Sequence, residues 1–216
     1  MDNESVELTD PMDHSVGGRG GHILRRTFHI SMIILPWMYY WKGNQITDWV
    51  NEITGLSMTR DMVTSSMVFA VIFAEMIRLK AGVAVYGQRD YEAEQVSALA
   101  WGAFSIGMAC LLAPKTGHLG AAIGAPLIAS LALGDPILGE MRRKGIDERN
   151  VLLYGSIAIS LIWLAGTIWL QTPWWLIPIF APLCVIAEKP RLRWIDDNAT
   201  MVLIPLGLAV LIGPWL

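Results

Sequence analysis

Charge is scarce in this sequence: 16% of its 216 residues are Asp, Glu, Lys or Arg, against roughly 25% in an average soluble domain. With 54% of residues hydrophobic, a chain of this length cannot hide its apolar surface in one water-soluble core. Cysteine is nearly absent. Cys110 and Cys184 both lie in apolar runs, which argues against a disulfide framework or a thiolate metal site. No Walker-type phosphate loop, zinc-ligand spacing or serine nucleophile elbow occurs. An internal repeat is missing too, so a transporter assembled from duplicated halves has no support. The opening residues lack a cationic start followed by an apolar stretch, and so do not read as a secretory signal. Instead, five of the nineteen acids (Asp2, Glu4, Glu7, Asp10 and Asp13) crowd into the first thirteen positions. Residues 1–21 read as a disordered acidic tail ending in the flexible Gly17-Gly18-Arg19-Gly20-Gly21.

What the chain does have is seven apolar segments: 23–41, 62–77, 96–113, 119–133, 151–170, 173–187 and 200–216. A helix needs about 20 apolar residues to cross a bilayer, so the shorter segments would recruit polar residues at their ends. Segment 173–187 also reads as re-entrant or interfacial. The expected fold is all-α, a polytopic membrane bundle of about seven transmembrane helices, with residues 22–216 forming one domain. With seven spans, thirteen of the sixteen cations share the side of the N-terminus, leaving Lys42, Arg60 and Lys115 opposite. Such an excess marks the cytoplasmic side, so the N-terminus is expected inside the cell. Trp37, Trp41, Trp169, Trp174 and Trp215 fall near the outer boundary, as an aromatic belt does, and His118 reads as interfacial there. Eleven acids also gather at the inner border, although the positive-inside rule gives no account of acids.

Several stretches place charge at that border. In "LALGDPILGEMRRKG", from Leu131 to Gly145, the residue before a proline avoids the α conformation, so the fourth span is expected to end near Gly134. Asp135 can then cap a new helix with Pro136 at its first position, or hold a hard cation such as Mg²⁺ or Mn²⁺ on a polyphosphate. Arg142 is seven residues on, along the same helical face. In "EKPRLRWIDDNATMVLIP", from Glu188 to Pro205, one aspartate can cap the last span and leave the other free for a metal. "HILRRTFH" sets His22, Arg25, Arg26 and His29 in one polar stripe. That stripe suits headgroup anchoring or anion binding, with His29 as a candidate proton acceptor. Glu75 and Arg78 are spaced as a helical ion pair, as are Arg89 and Glu92.

Taken in order, "RRTFHI", "EMIRL", "RDYEAEQVSALAW", "LALGDPILGEMRRKG" and "DDNATMVLIP" resemble the dolichol kinase family, with its phytol kinase and CTP-dependent diacylglycerol kinase relatives. The resemblance runs from about His22 to the last span. It implies an enzyme, a CTP-dependent phosphotransferase, acting with a divalent metal (Mg²⁺ or Mn²⁺) on the hydroxyl of an isoprenoid alcohol or a diacylglycerol-like membrane lipid. Gly134 and Asp135 match the family's Gly-Asp element, Asp197 and Asn198 its terminal Asp-Asn element, Arg26 and His29 its first helix, and Arg89 and Glu92 its third. On this reading Asp135 and Asp197 bind the metal. Arg25 or Arg26, with Arg142, Arg143 and Lys144, hold phosphates. Either His29 or Glu92 is the base. The chain departs from the family in two places: "RRKGIDERNVLLYGS" lacks the Lys-Ser-x-Glu-Gly element attributed to nucleotide binding, and Ile137-Leu138 stands where an alanine is usual. The alternatives are a CTP:phosphatidate-type cytidylyltransferase, whose long signature is not visible, and a non-catalytic lipid-binding or transport protein. No nucleic-acid partner is expected, and a homo-oligomer is left open.

Overall fold

The computed structural model describes residues 15–114, 119–190, 192 and 194–215; among these the regular structure is helical, with one isolated bridge between Ser15 and Arg89. Most of the acidic tail, along with Lys115, His118, Arg191 and Arg193, lies outside the described residues. Among the described residues nine α-helices follow in order: α1 (Gly18–Ser31), α2 (Ile34–Thr54), α3 (Arg60–Ala81), α4 (Ala98–Leu112), α5 (Leu119–Ala129), α6 (Asp135–Arg143), α7 (Glu148–Leu170), α8 (Ile177–Glu188) and α9 (Asp197–Ile212). Four helical stretches of the described residues are long and apolar enough to cross a membrane, namely Arg60–Ala81, Leu119–Arg143, Glu148–Leu170 and Asp197–Trp215. Phe69 and Phe73 on α3 and Leu161 and Trp169 on α7 are exposed. Large apolar surfaces of this kind suit lipid better than water.

The ends of several elements differ from the sequence expectation. α1 begins at Gly18, inside the presumed tail, because Gly17 turns the chain at φ 88°. Val16 donates to the Gln88 carbonyl at 2.8 Å, and Gly87 donates to Val16 at 2.9 Å, so this short segment is stitched to the loop after α3. The first apolar segment is interrupted at Met32–Ile33. Pro36 has no N–H for the Met32 carbonyl, and Leu35 takes that acceptor at 3.0 Å instead. α2 then continues to Thr54, well beyond residue 41, and stops at Gly55 in the left-handed region.

The largest difference lies in the fourth span. No break occurs at Gly134, and Asp135 does not cap a new helix. A π-turn over Ser130–Gly134 links α5 to α6 in one helix of 25 residues. Gly134 keeps helical angles, with no side-chain cap. The wider turn absorbs the missing N–H of Pro136 without ending the helix, a device often found at functional sites. This helix is the most buried of the four long ones. Ile123, Leu127, Ile128 and Leu131 on it are fully buried in a core shared with Trp163, Phe180 and Met201.

Candidate functional site

Six elements bring polar groups to one end of the bundle: α1, the C-terminus of α3, the start of α4, the α5–α6 junction, the C-terminus of α8 and the N-terminus of α9. The loop after α3 is held there by Arg78. Its guanidinium grips both oxygens of Glu75 at 2.9 and 2.8 Å. It also donates to the carbonyls of Val83 and Glu92 at 2.6 Å each and of Gln95 at 2.8 Å. Glu75 in turn accepts the backbone N–H of Ser97 at 2.6 Å. The pair seen in the sequence is therefore structural.

Glu92 serves as a clamp. It is buried, and its carboxylate accepts from Arg25 at 2.6 Å, from the Arg89 backbone at 3.2 Å and from the Ala98 backbone at 3.2 Å. It ties α1 to the head of α4 and has little capacity left for a substrate proton.

Asp135, Glu188 and Asp197 offer side-chain oxygens that all lie within 4.8 Å of one another. The two aspartates named from sequence thus come together, with Glu188 as a third member that the sequence reading passed over. Glu188 is buried and gripped at both oxygens by Arg142, at 2.6 and 2.8 Å. Arg142 also reaches Glu148 at 2.8 Å. His29 is buried with its Nε2 at 3.2 Å from the Leu131 carbonyl and 3.4 Å from Asp135 Oδ2. Two acceptors face one nitrogen, so the network assigns the proton to Nε2 and the lone pair to Nδ1.

A cleft of about 890 Å³ opens beside Glu188 and Asp197 and is lined by Arg89, Arg142, Lys189, Tyr91, Trp101 and Trp194. Arg89 lies over the Tyr91 ring and donates to its hydroxyl. Arg26, Arg143 and Lys144 do not line this cleft. All three turn to Glu140, at 3.0, 2.7 and 3.9 Å, because successive residues on a helix point about 100° apart. Only Arg142 of that cationic run faces the acids. Gly134 does not reach the cleft either: a Cβ there would meet Met201 at 2.8 Å and Ile159 at 3.0 Å, so the glycine serves close helix packing.

Asp196 caps α9 through the Asn198 N–H at 3.1 Å. Burial, and then the charge of Asp197 beside it, push its carboxyl from 3.8 to about 7. An acid with a raised folded pKa binds its proton more tightly when folded. Its contribution therefore falls as pH climbs from the unfolded towards the folded value. The protein is expected to lose thermal stability between about pH 4 and about pH 7 through this group, and Asp196→Asn should flatten that slope. A wild-type slope retained in the variant would assign it to another group.

No protein family, curated protein or solved structure matches this chain.

Proposed function

We propose that the chain is an integral membrane lipid kinase that moves the γ-phosphoryl group of CTP to the hydroxyl of an isoprenoid alcohol or related lipid. The observation that carries this reading is the meeting of Asp135, Glu188 and Asp197 within 4.8 Å, two of them on the wall of a cation-bearing cleft. Three oxygen donors packed so closely suit a hard divalent ion, Mg²⁺ or Mn²⁺, better than a softer one. When bound, that ion would supply charge neutralisation to the triphosphate.

The remaining roles belong to side chains. Arg89, Arg142 and Lys189 are placed to hold phosphates in the cleft, doing the work of the absent Lys-Ser-x-Glu-Gly element. Tyr91, Trp101 and Trp194 offer flat faces for a base. In the transfer the lipid oxygen forms a bond to the γ-phosphorus. The bond from that phosphorus to the β–γ bridging oxygen breaks, and CDP leaves. The hydroxyl proton passes to Nδ1 of His29, whose opposite nitrogen is fixed by Leu131 and Asp135. Holding reactants in line is the larger part of such catalysis.

The reading includes seven membrane passages, with α1 and α2 forming the first, and a site facing the cytoplasm. Arg78 and Arg60 lie at opposite ends of α3, roughly 27 Å apart at 1.5 Å per residue. The cation-rich end is the one that holds the acids, which supports a cytoplasmic site.

The test uses protein in nanodiscs with Mg²⁺, a panel of lipid alcohols, and CTP labelled at the α or the γ phosphate. Entry of γ label alone into lipid is expected. Entry of α label would make the protein a cytidylyltransferase, and no transfer over the panel would leave a non-catalytic lipid-binding role. Glu188→Gln should lower the transfer rate roughly 100-fold by loosening the acidic cluster; an unchanged rate would remove Glu188 from the site.

A further inference from the structure

Towards the end of α3 that lies away from the acids, a groove of about 290 Å³ runs between α2 and α3 over α4. α3 lines it with Arg60, Thr64, Met67 and Val71, which share one helical face. From Arg60 to Val71 that face extends about 16 Å at 1.5 Å per residue. Met38 and Met67 on the walls are exposed, whereas Ile106 and Cys110 on the floor are buried. The groove therefore opens on the flank of the bundle, where the apolar surface suits lipid.

Among the described residues of the lining, Arg60 alone carries a charge. Its side chain crosses α2 at Gly43, where a Cβ would stand 2.3 Å from Arg60 Cδ. The guanidinium then lies over the Tyr39 ring, 4.5 Å from its centre. Tyr39 is one turn nearer the start of α2 than Gly43, so the charge is turned along the groove and away from the α2–α3 connection. An arginine that only snorkels to the interface reaches the other way.

The donors of this arginine are little used. Among the described residues its side chain makes one hydrogen bond, from Nη1 to the Tyr39 carbonyl at 3.4 Å, longer than is usual. Asp61 stands 4.0 Å from Nε, and its carboxylate accepts the Tyr39 hydroxyl at 2.6 Å. Arg78, near the far end of the same helix, donates five hydrogen bonds, the full capacity of a guanidinium. With its side chain 33% exposed, Arg60 is within reach of a further acceptor.

We infer that this groove binds an anionic phospholipid, with the phosphate on Arg60 and one acyl chain along the floor made by α4. Charge complementarity selects the head, because a guanidinium fork matches phosphate oxygens. The apolar length of the groove selects the tail. Phosphatidylcholine carries the same phosphate, but its quaternary ammonium brings a second cation close to Arg60 and weakens the contact. The inference is independent of the activity proposed for the acidic cluster.

The experiment places the full chain in nanodiscs of phosphatidylglycerol and phosphatidylcholine, mixed equally with matched acyl chains. Lipid that stays on the released protein is counted by native mass spectrometry. Phosphatidylglycerol is expected to be retained roughly tenfold over phosphatidylcholine, the value of one charge-assisted hydrogen bond. Arg60→Gln should bring the two lipids to equal retention. Ala103→Phe fills the floor and should release the lipid although Arg60 is still present. Equal retention of both lipids by the wild-type protein overturns the inference without relying on any variant. A preference kept in Arg60→Gln would belong to the cations at the acidic end and would overturn it too. Full retention in Ala103→Phe would take the acyl chain out of the groove, with the same consequence.

Discussion

Asp135→Asn is expected to abolish phosphoryl transfer, by roughly 10³-fold or more, while the protein remains folded and becomes more stable without metal. The two effects share one cause. Asp135 stands with Glu188 and Asp197 within 4.8 Å, and three carboxylates so close repel one another unless a cation or protons intervene. An amide of the same shape relieves the repulsion but removes the negative charge of the cluster member that stands 3.4 Å from His29 Nε2. Asp197→Asn should behave alike. Thermal midpoints with and without Mg²⁺ separate the site from the scaffold. Wild-type protein should gain stability on adding Mg²⁺, and each variant should start higher and gain little. Normal transfer by both variants would dissolve the site.

Arg78→Met is expected to cost about 3–5 kcal/mol, the cost of breaking a buried ion pair from one side. This guanidinium donates five hydrogen bonds, two to Glu75 and three to carbonyls of the loop that carries Arg89 and Glu92. Its loss strands the Glu75 carboxylate and three carbonyls together. Adding Glu75→Gln should restore part of the stability by removing the stranded charge, although the carbonyls stay unpaired. Denaturation of wild type, single variants and double variant in detergent checks both statements. An Arg78→Met variant as stable as the wild type would show that this network does not hold the loop.

The shared border of Asp135 and Asp197 was legible in the sequence, and for a simple reason. In a bundle of alternating helices the charged ends of every second connection share a side, so Asp135 and Asp197 had to face the same border. Hydropathy also made the helical class plain. What escaped depended on rotation and pairing. Glu188 closes an apolar helix, and nothing local marks its embrace by Arg142, 46 residues away. Arg142 and Arg143 are neighbours in sequence, yet they serve different acids, Glu188 and Glu140. Pro136 invited a helix break, but the π-turn over Ser130–Gly134 accommodates it, a solution that neither composition nor spacing announces. Glu92 had the residue type of a base, and only its three donors reveal a clamp.

The most direct measurement is the binding of Mn²⁺ to the purified chain, followed by electron paramagnetic resonance in the absence of nucleotide. The account predicts a saturable site that Mg²⁺ displaces and that vanishes in both Asp135→Asn and Asp197→Asn. If Mn²⁺ stayed free, or bound equally well to those variants, the three carboxylates would not form a metal centre and the proposed chemistry would lose its foundation.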